Sequence, residues 1–209
     1  MKEYTTYLFD LDGTLVDSLE SLYFVFIESF KQMGIKCEKH EVQPFLRQAL
    51  TKTYVEKGGD IKDIYTFAKW IDLYLITDET VKKNKIYSEV KSSLEVLINK
   101  GKTLGVVTSN DRNHAINVLK HVGLPIEYFK VIVGNKETSK HKPNPEPILK
   151  ALELLDIKDK DSVVYVGDAL DDMICANNSN ISHILIDRNN EYLDYKEEKI
   201  KDLGGLINE

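Results

Sequence analysis

Two carboxylates directly behind a short apolar run are the first sign of chemistry in this 209-residue chain. Residues 4–9 have the aromatic and β-branched content of a buried strand, so Asp10 should lie at the carboxyl end of that strand. Asp12, two residues further on, would project to the same side of an extended chain. Carboxylates that close repel each other, which raises a pKa or requires a cation. The alternative is turn chemistry, because Asp12 and Gly13 form a common turn dipeptide.

A second polar group follows another apolar run. Residues 103–107 predict a buried strand, and Thr108, Ser109 and Asn110 come directly after it. A hydroxyl and exposed backbone amides just before a helix N-terminus are suited to binding a phosphate oxygen. Helix capping is the commoner use of such a turn, so both interpretations stay open.

Lys142 and a further acidic group complete the set of candidate residues in the core. Lys142 precedes a proline that fixes the backbone ahead of a predicted helix, although a loop lysine is usually solvated. Residues 162–166 predict a strand, Asp168 follows it closely, and Asp172 comes one helical turn later. Asp168 has an alternative role as the N-cap of that helix, whereas Asp172 has no such simple alternative.

These residues need a scaffold, and the pattern from residue 89 onward predicts one. Strand and helix patterns alternate there, which is typical of a parallel sheet built from βα units. The predicted strands are 103–107, 131–133, 162–166 and 184–186, and the predicted helices are 90–99, 111–122, 144–155 and 170–178. Parallel strands end at one edge of a sheet, where α/β folds bind ligands, so the candidate residues should meet at that edge. The charged tail from residue 191 is predicted to be a surface helix.

The segment between the first strand and this alternating region predicts a separate helical subdomain. Roughly seventy residues have helical spacing without a strand pattern, which is far longer than an ordinary loop. The predicted helices cover residues 19–30, 41–56 and 61–75. Asp17 or Ser18 can cap the first of them. The expected division is 1–15 and 86–209 for the α/β core and 16–85 for the helical insertion.

The composition is that of an ordinary soluble globular protein, with 42% hydrophobic and 30% charged residues. The formal net charge of -6 argues against nucleic acid or an anionic membrane as a partner. A small anionic substrate would therefore need local positive charge or a metal. No apolar run approaches the ~20 residues of a membrane span. Cys37 and Cys175 are interpreted as reduced packing thiols, and we expect a cytoplasmic location.

Taken in order, the candidate residues resemble the four motifs of the haloacid dehalogenase superfamily. Residues 10–18 read Asp-x-Asp-Gly-Thr-Leu-x-Asp-Ser, which is similar to motif I. Thr108 matches motif II, Lys142 matches motif III, and Asp168 with Asp172 matches motif IV. The insertion directly after motif I resembles the subfamily of phosphoglycolate phosphatases, β-phosphoglucomutases, phosphonatases and haloacid dehalogenases. This resemblance implies a Rossmann-like parallel α/β core with helices on both faces and an inserted α-helical cap.

The resemblance also implies roles for the motif residues. Asp10 would attack phosphorus to form an aspartyl-phosphate, and Asp12 would protonate the leaving oxygen and then activate water. Lys142 and Mg²⁺ would offset the phosphate charge, with Thr108 and its loop neighbours binding phosphate oxygens.

The expected magnesium ligands are carboxylates and one backbone carbonyl, which are the hard oxygen donors that Mg²⁺ favours. They are Asp10, Asp168, Asp172 and the carbonyl of Asp12. Asp171 is an alternative outer ligand, but the Gly-Asp-x-x-x-Asp spacing of the family favours Asp172.

Within the family, the residues favour a phosphatase acting on a small phosphorylated metabolite, similar to phosphoglycolate phosphatases. The second acid, Asp12, argues against carbon–halogen chemistry. Thr14 and the Gly-Asp form of motif IV argue against a β-phosphoglucomutase-like mutase, which is the main alternative. A non-catalytic protein that binds a phosphometabolite is a further alternative.

In the cap, Arg47 lies about where related caps have a substrate-facing basic residue, although a surface role is an alternative. The oligomeric state stays open.

Overall fold

The computed structural model describes residues 2–207, apart from the side chain of Arg47, and these residues form two compact units. The first unit consists of the segment that ends at Asp17 and the segment that starts at Lys85. The second unit is Ser18–Asn84.

The described residues contain eight strands and nine α-helices. The strands are β1 (Thr6–Phe9), β2 (Val16–Asp17), β3 (Lys85–Ile86), β4 (Thr103–Val107), β5 (Val131–Val133), β6 (Val163–Gly167), β7 (Ser182–Ile186) and β8 (Lys199–Ile200). The helices are α1 (Leu19–Gln32), α2 (Lys39–Val42), α3 (Leu50–Glu56), α4 (Ile64–Leu75), α5 (Asp78–Lys82), α6 (Val90–Asn99), α7 (Arg112–His121), α8 (Glu146–Leu154) and α9 (Leu170–Asn178). Among these residues, no helix is both long and apolar enough to span a membrane.

A parallel sheet forms the centre of the first unit. Within residues 2–207 it has six strands in the order β5-β4-β1-β6-β7-β8. All four residues of β1 are buried, as expected for a central parallel strand covered on both faces. Leu8 and Tyr165 pack with α8 and α9 in one apolar cluster, while α6 packs against β4. The predicted α/β architecture is confirmed.

The register of the central strands brings their carboxyl ends together. Phe9 of β1 is level with Val106 of β4 and with Val166 of β6. The residues that follow these three strands therefore emerge side by side at one edge of the sheet. Asp10 and Asp168 both come from this edge.

The second unit is helical, with α1 packed against α4. Its core contains closely packed aromatic rings: the centroid of Phe67 lies 4.6 Å from those of Phe30 and Tyr54. The predicted helix over 41–56 is interrupted in the structure, because Pro44 has no N–H to donate and Gln43–Arg47 form a 3-10 turn instead.

The prediction of a surface helix in the C-terminal tail is wrong. Residues 191–207 contain no α-helix: β8 adds to the sheet beside β7, and Leu203–Leu206 form a 3-10 turn. A two-residue strand is too short to show a periodic pattern in the sequence. β8 is recognised only by its pairing with Leu185 and Ile186 of β7. At the start of α1, Ser18 occupies the N-cap position, and its side chain makes no cap hydrogen bond.

One short pair of strands has no counterpart in the predictions. β2 and β3 pair antiparallel, with Val16 opposite Ile86. In the chain they immediately precede and follow the second unit. Both belong to the first unit.

Candidate active site

A buried lysine links two of the predicted acids. Asp10 follows β1, and its backbone N–H donates to the carbonyl of Val166 at 2.9 Å. Lys142 Nζ donates to Asp10 Oδ1 at 2.8 Å and to Asp172 Oδ1 at 2.7 Å. The Lys142 side chain is only 8% exposed, so the solvated alternative for this loop lysine is wrong. Burial opposes the charge of Lys142, but Asp10 and Asp172 outweigh it and raise the pKa of the ammonium group well above its usual range.

Three carboxylates form a compact acidic cluster around this lysine. One oxygen each of Asp10, Asp168 and Asp172 lies within 4.8 Å of the others. Burial raises the pKa of Asp10 well above its usual range, with Lys142 opposing the rise and the neighbouring acids adding to it. Burial also raises the pKa of Asp168 to about 6, and the charge of Asp172 adds to that rise. One ammonium group does not balance three carboxylates, so the cluster fits a divalent cation.

The structure distinguishes between the two neighbouring candidates on α9. Asp172 is buried within the cluster, whereas Asp171 is exposed. Asp172 Oδ2 also accepts from the backbone N–H of Ala169 at 3.2 Å, so Asp172 caps the helix. Asp168 does not occupy the N-cap position, and its predicted alternative role is therefore wrong. A Cβ at Gly167 would overlap the Asp172 carboxylate, so only glycine leaves room for it.

The turn after β1 contacts the carboxylate of Asp168. Gly13 has a φ of 76°, and a Cβ there would overlap the Asp168 carboxylate. Thr14 Oγ1 donates to Asp168 Oδ1 at 3.2 Å. Thr14 thus supports the acidic cluster, a role that its place in motif I did not reveal. The contact joins residues 154 positions apart in the chain.

The second motif I acid contacts the turn after β4. Asn110 Nδ2 donates to Asp12 Oδ2 at 2.5 Å. Thr108 Oγ1 accepts from the backbone N–H of Asn110 at 3.1 Å, whereas the side chain of Asp111 caps α7, so the helix-capping alternative for Thr108 is wrong. Ser109 is exposed. Asn110, predicted as a phosphate ligand, therefore also orients the acid.

Tyr165 belongs to the site although it is part of none of the sequence motifs. Lys142 Nζ donates to Tyr165 Oη at 3.3 Å, and the Tyr165 hydroxyl donates to the carbonyl of Val107 at 2.8 Å. Burial raises the pKa of Tyr165 well above its usual range, with Lys142 opposing, so the phenol stays protonated and can donate. The available signal was one tyrosine in a valine-rich strand, two residues before Gly167.

Arg47 is the one predicted site residue in the second unit. Its backbone belongs to the 3-10 turn Gln43–Arg47, and its side chain lies outside the part of the chain that the structure describes. A role for Arg47 in substrate binding stays a prediction.

Comparison with known proteins gives consistent matches over nearly the whole chain. Residues 7–186 match the family model described as haloacid dehalogenase-like hydrolase. A pyrophosphatase PpaX of Halalkalibacterium halodurans is 30% identical over 189 residues, which cover 88% of this chain and 84% of the relative. A phosphoglycolate phosphatase of Nitrosococcus oceani is 26% identical over 195 residues, which cover 89% of this chain and 85% of the relative. A haloacid dehalogenase-like family hydrolase from Streptococcus pneumoniae shares the fold, with a TM-score of 0.83, 21% identity and coverage of 99% of this chain and 98% of that one.

The hydroxyl of Tyr165 gives a prediction about stability. Tyr165→Phe leaves the buried carbonyl of Val107 without its donor and removes one acceptor from Lys142, which should lower the free energy of unfolding by about 1–3 kcal/mol. Urea denaturation measures this. Tyr128→Phe is the matched control, because the Tyr128 hydroxyl donates to Glu95 at 2.8 Å in a part-buried position and water can replace it. Equal losses in the two variants would contradict the assigned role of the Tyr165 hydroxyl.

Proposed function

The chain belongs to the haloacid dehalogenase-like hydrolase family, and we propose that it is a Mg²⁺-dependent phosphatase that hydrolyses a small phosphomonoester through an aspartyl-phosphate on Asp10. The observation that carries the proposal is the buried group of one lysine and three carboxylates where the central strands end. A phosphoryl group arriving there would meet a nucleophile, a fixed cation and a metal site together. Phosphoryl transfer depends mainly on such positioning and charge compensation.

In the first step, an Asp10 carboxylate oxygen attacks phosphorus and the bond from phosphorus to the leaving oxygen breaks. Asp12 donates its proton to that oxygen, so the product leaves as an alcohol. In the second step, Asp12 takes a proton from water, the water oxygen attacks phosphorus, and the bond to Asp10 breaks. The net products are the alcohol and inorganic phosphate, and both acids return to their starting states.

The remaining residues hold the reacting groups in place. Lys142 keeps its ammonium group against Asp10 and offsets negative charge on the transferring phosphoryl group. The amide of Asn110 holds Asp12 through Oδ2. The Thr108 hydroxyl accepts a backbone hydrogen bond and still has its own proton to donate to a phosphate oxygen.

The donor set fits Mg²⁺ better than a metal that prefers nitrogen or sulfur. Asp10, Asp168 and Asp172 offer carboxylate oxygens, and we propose the backbone carbonyl of Asp12 as a further ligand. When bound, Mg²⁺ supplies positive charge against the phosphate oxygens. The raised pKa values of Asp10 and Asp168 support the need for a cation, because burial and crowding make their charged forms unfavourable without one.

Water is the proposed acceptor of the phosphoryl group in the second step. Two relatives are named as a pyrophosphatase and a phosphoglycolate phosphatase, and both names describe hydrolysis. A mutase is therefore not favoured. A non-catalytic binding protein is not favoured either, since the predicted motif residues of the core are present and their acids cluster with Lys142.

Inorganic pyrophosphate is a second candidate substrate, because the relative at 30% identity is named a pyrophosphatase. The two substrates differ in their leaving groups. An alkoxide leaves poorly without a proton, whereas phosphate leaves readily. The dependence on Asp12 should therefore differ between them.

Asp10→Asn tests the nucleophile. An amide cannot form the acyl-phosphate, so turnover of 2-phosphoglycolate should fall by about 10⁴-fold or more while the protein stays folded. Phosphate release with circular dichroism as the folding check measures this. Asp171→Asn, an exposed acid outside the cluster, is the matched control and should keep wild-type turnover. Wild-type phosphate release by Asp10→Asn would disprove the mechanism.

Metal removal tests the acidic cluster. Chelation should abolish activity and Mg²⁺ should restore it, whereas Ca²⁺, which takes more ligands in looser geometry, should support activity poorly. Isothermal titration should show weaker Mg²⁺ binding in Asp172→Asn and unchanged binding in Asp171→Asn. Full activity without metal would rule out the cluster as a catalytic metal site.

Asp12→Asn distinguishes the substrate classes. We expect kcat/KM for 2-phosphoglycolate to fall by about 10²–10⁴-fold and kcat/KM for pyrophosphate to fall much less. The ratio kcat/KM is the right quantity because it reports the steps up to departure of the leaving group. Equal losses for both substrates would show that Asp12 does not protonate the leaving oxygen.

A further inference from the structure

Arg188, the second residue after β7, contacts the turn that follows Asp10 although it belongs to none of the four motifs. Its Nε donates to the carbonyl of Gly13 at 3.2 Å, and one terminal nitrogen donates to the carbonyl of Thr14 at 2.8 Å. The other terminal nitrogen lies 2.7 Å from Glu89 Oε1. The Arg188 side chain is 16% exposed. One guanidinium group therefore joins two consecutive backbone carbonyls to a counter-ion.

The backbone of this turn also makes hydrogen bonds within itself. The carbonyl of Leu11 accepts from the N–H groups of Leu15 and Val16, and the N–H of Gly13 donates to the carbonyl of Val16. The carbonyls of Gly13 and Thr14 are the ones that Arg188 binds. Arg188 thus supplies donors from outside the turn to two of its carbonyls.

The same two residues contact Asp168. The Cα of Gly13 lies so close to the Asp168 carboxylate that a Cβ would overlap it, and the Thr14 hydroxyl donates to Asp168 Oδ1. A small displacement of the turn would therefore move or release this carboxylate. Thr14 contacts the proposed metal ligand Asp168 directly, and Arg188 contacts Thr14.

Arg188 is itself held by residues just after β3. The Arg188 Cζ lies 3.5 Å from the centroid of the Tyr87 ring, and Glu89 supplies the ion pair. Burial, with the charge of Asp17, raises the pKa of Tyr87 to about 12, so the ring under the guanidinium stays neutral. These contacts fix both the plane and the direction of the guanidinium group.

We propose that Arg188 is a positioning residue that holds the turn of Gly13 and Thr14, and thereby sets the Asp168 carboxylate for metal binding. This inference rests on the proposed function, because it assigns Asp168 to the metal site. A lysine cannot replace Arg188, since a single ammonium group lacks the planar set of donors that reaches both carbonyls and Glu89. A purely structural role would change stability alone.

The test compares Arg188→Ala and Arg188→Lys with the wild type and with Lys102→Met. Lys102 forms an ion pair of 2.7 Å with Glu3 and directly precedes β4, at the end of that strand away from the site. Mg²⁺ affinity is measured by isothermal titration without substrate, and kcat and KM are measured with 2-phosphoglycolate. We expect both Arg188 variants to bind Mg²⁺ about 10–100-fold more weakly and to lose kcat with little change in KM. Lys102→Met should match the wild type in all three.

Chemical rescue separates positioning from general stabilisation. Millimolar guanidinium chloride should strengthen Mg²⁺ binding by Arg188→Ala, whereas sodium chloride at the same concentration should not. Wild-type Mg²⁺ affinity in both Arg188 variants, or a lowered melting temperature as the sole change, would overturn the inference. If Arg188→Ala does not fold, Arg188→Lys decides by the same criteria.

The behaviour of the wild type distinguishes failure of the Arg188 inference from failure of the proposed function. A wild type that binds no Mg²⁺ and releases no phosphate from 2-phosphoglycolate or pyrophosphate would overturn both. A wild type active with Mg²⁺, together with unaltered Arg188 variants, would overturn only the role of Arg188.

Discussion

The contact on which the site depends is the buried ammonium group of Lys142 between the carboxylates of Asp10 and Asp172. Burying a charge is unfavourable unless a partner of opposite sign compensates it, and here each partner compensates the other. The compensation is incomplete, because Asp168 adds a third carboxylate to the same cluster. The excess negative charge is what makes this edge of the sheet suited to a divalent cation and, with that cation, to a phosphate.

Around this contact, three of the acids are held by neutral donors. The Thr14 hydroxyl holds Asp168, the Asn110 amide holds Asp12, and the backbone N–H of Ala169 holds Asp172. Neutral donors orient a carboxylate without cancelling its charge, so the acids stay available to a metal or a proton. Such support fits the proposed function, in which the site binds a cation and transfers protons.

Helix capping and chemistry are not exclusive explanations for the acids at the start of α9. Asp168, the simpler candidate for the cap, instead accepts from Thr14, while Asp172 both caps the helix and contacts Lys142. The reason is steric. Gly167 leaves space for the Asp172 side chain to fold back to the helix start, where one of its oxygens reaches the backbone and the other reaches the lysine. The cap thus fixes the carboxylate that the site uses.

The sequence by itself determined the α/β architecture, the buried central strands and the positions of the motif acids at strand ends, because apolar periodicity and turn residues are local signals. It did not predict β8, the role of Tyr165, the contact of Thr14 with Asp168, or the burial of Lys142. These depend on strand order and register, which bring together residues as distant as Thr14 and Asp168, 154 positions apart. No local pattern records such a pairing. Only the folded sheet decided which polar side chains became partners. A buried polar group must form hydrogen bonds with the groups beside it, and the fold determines which groups those are.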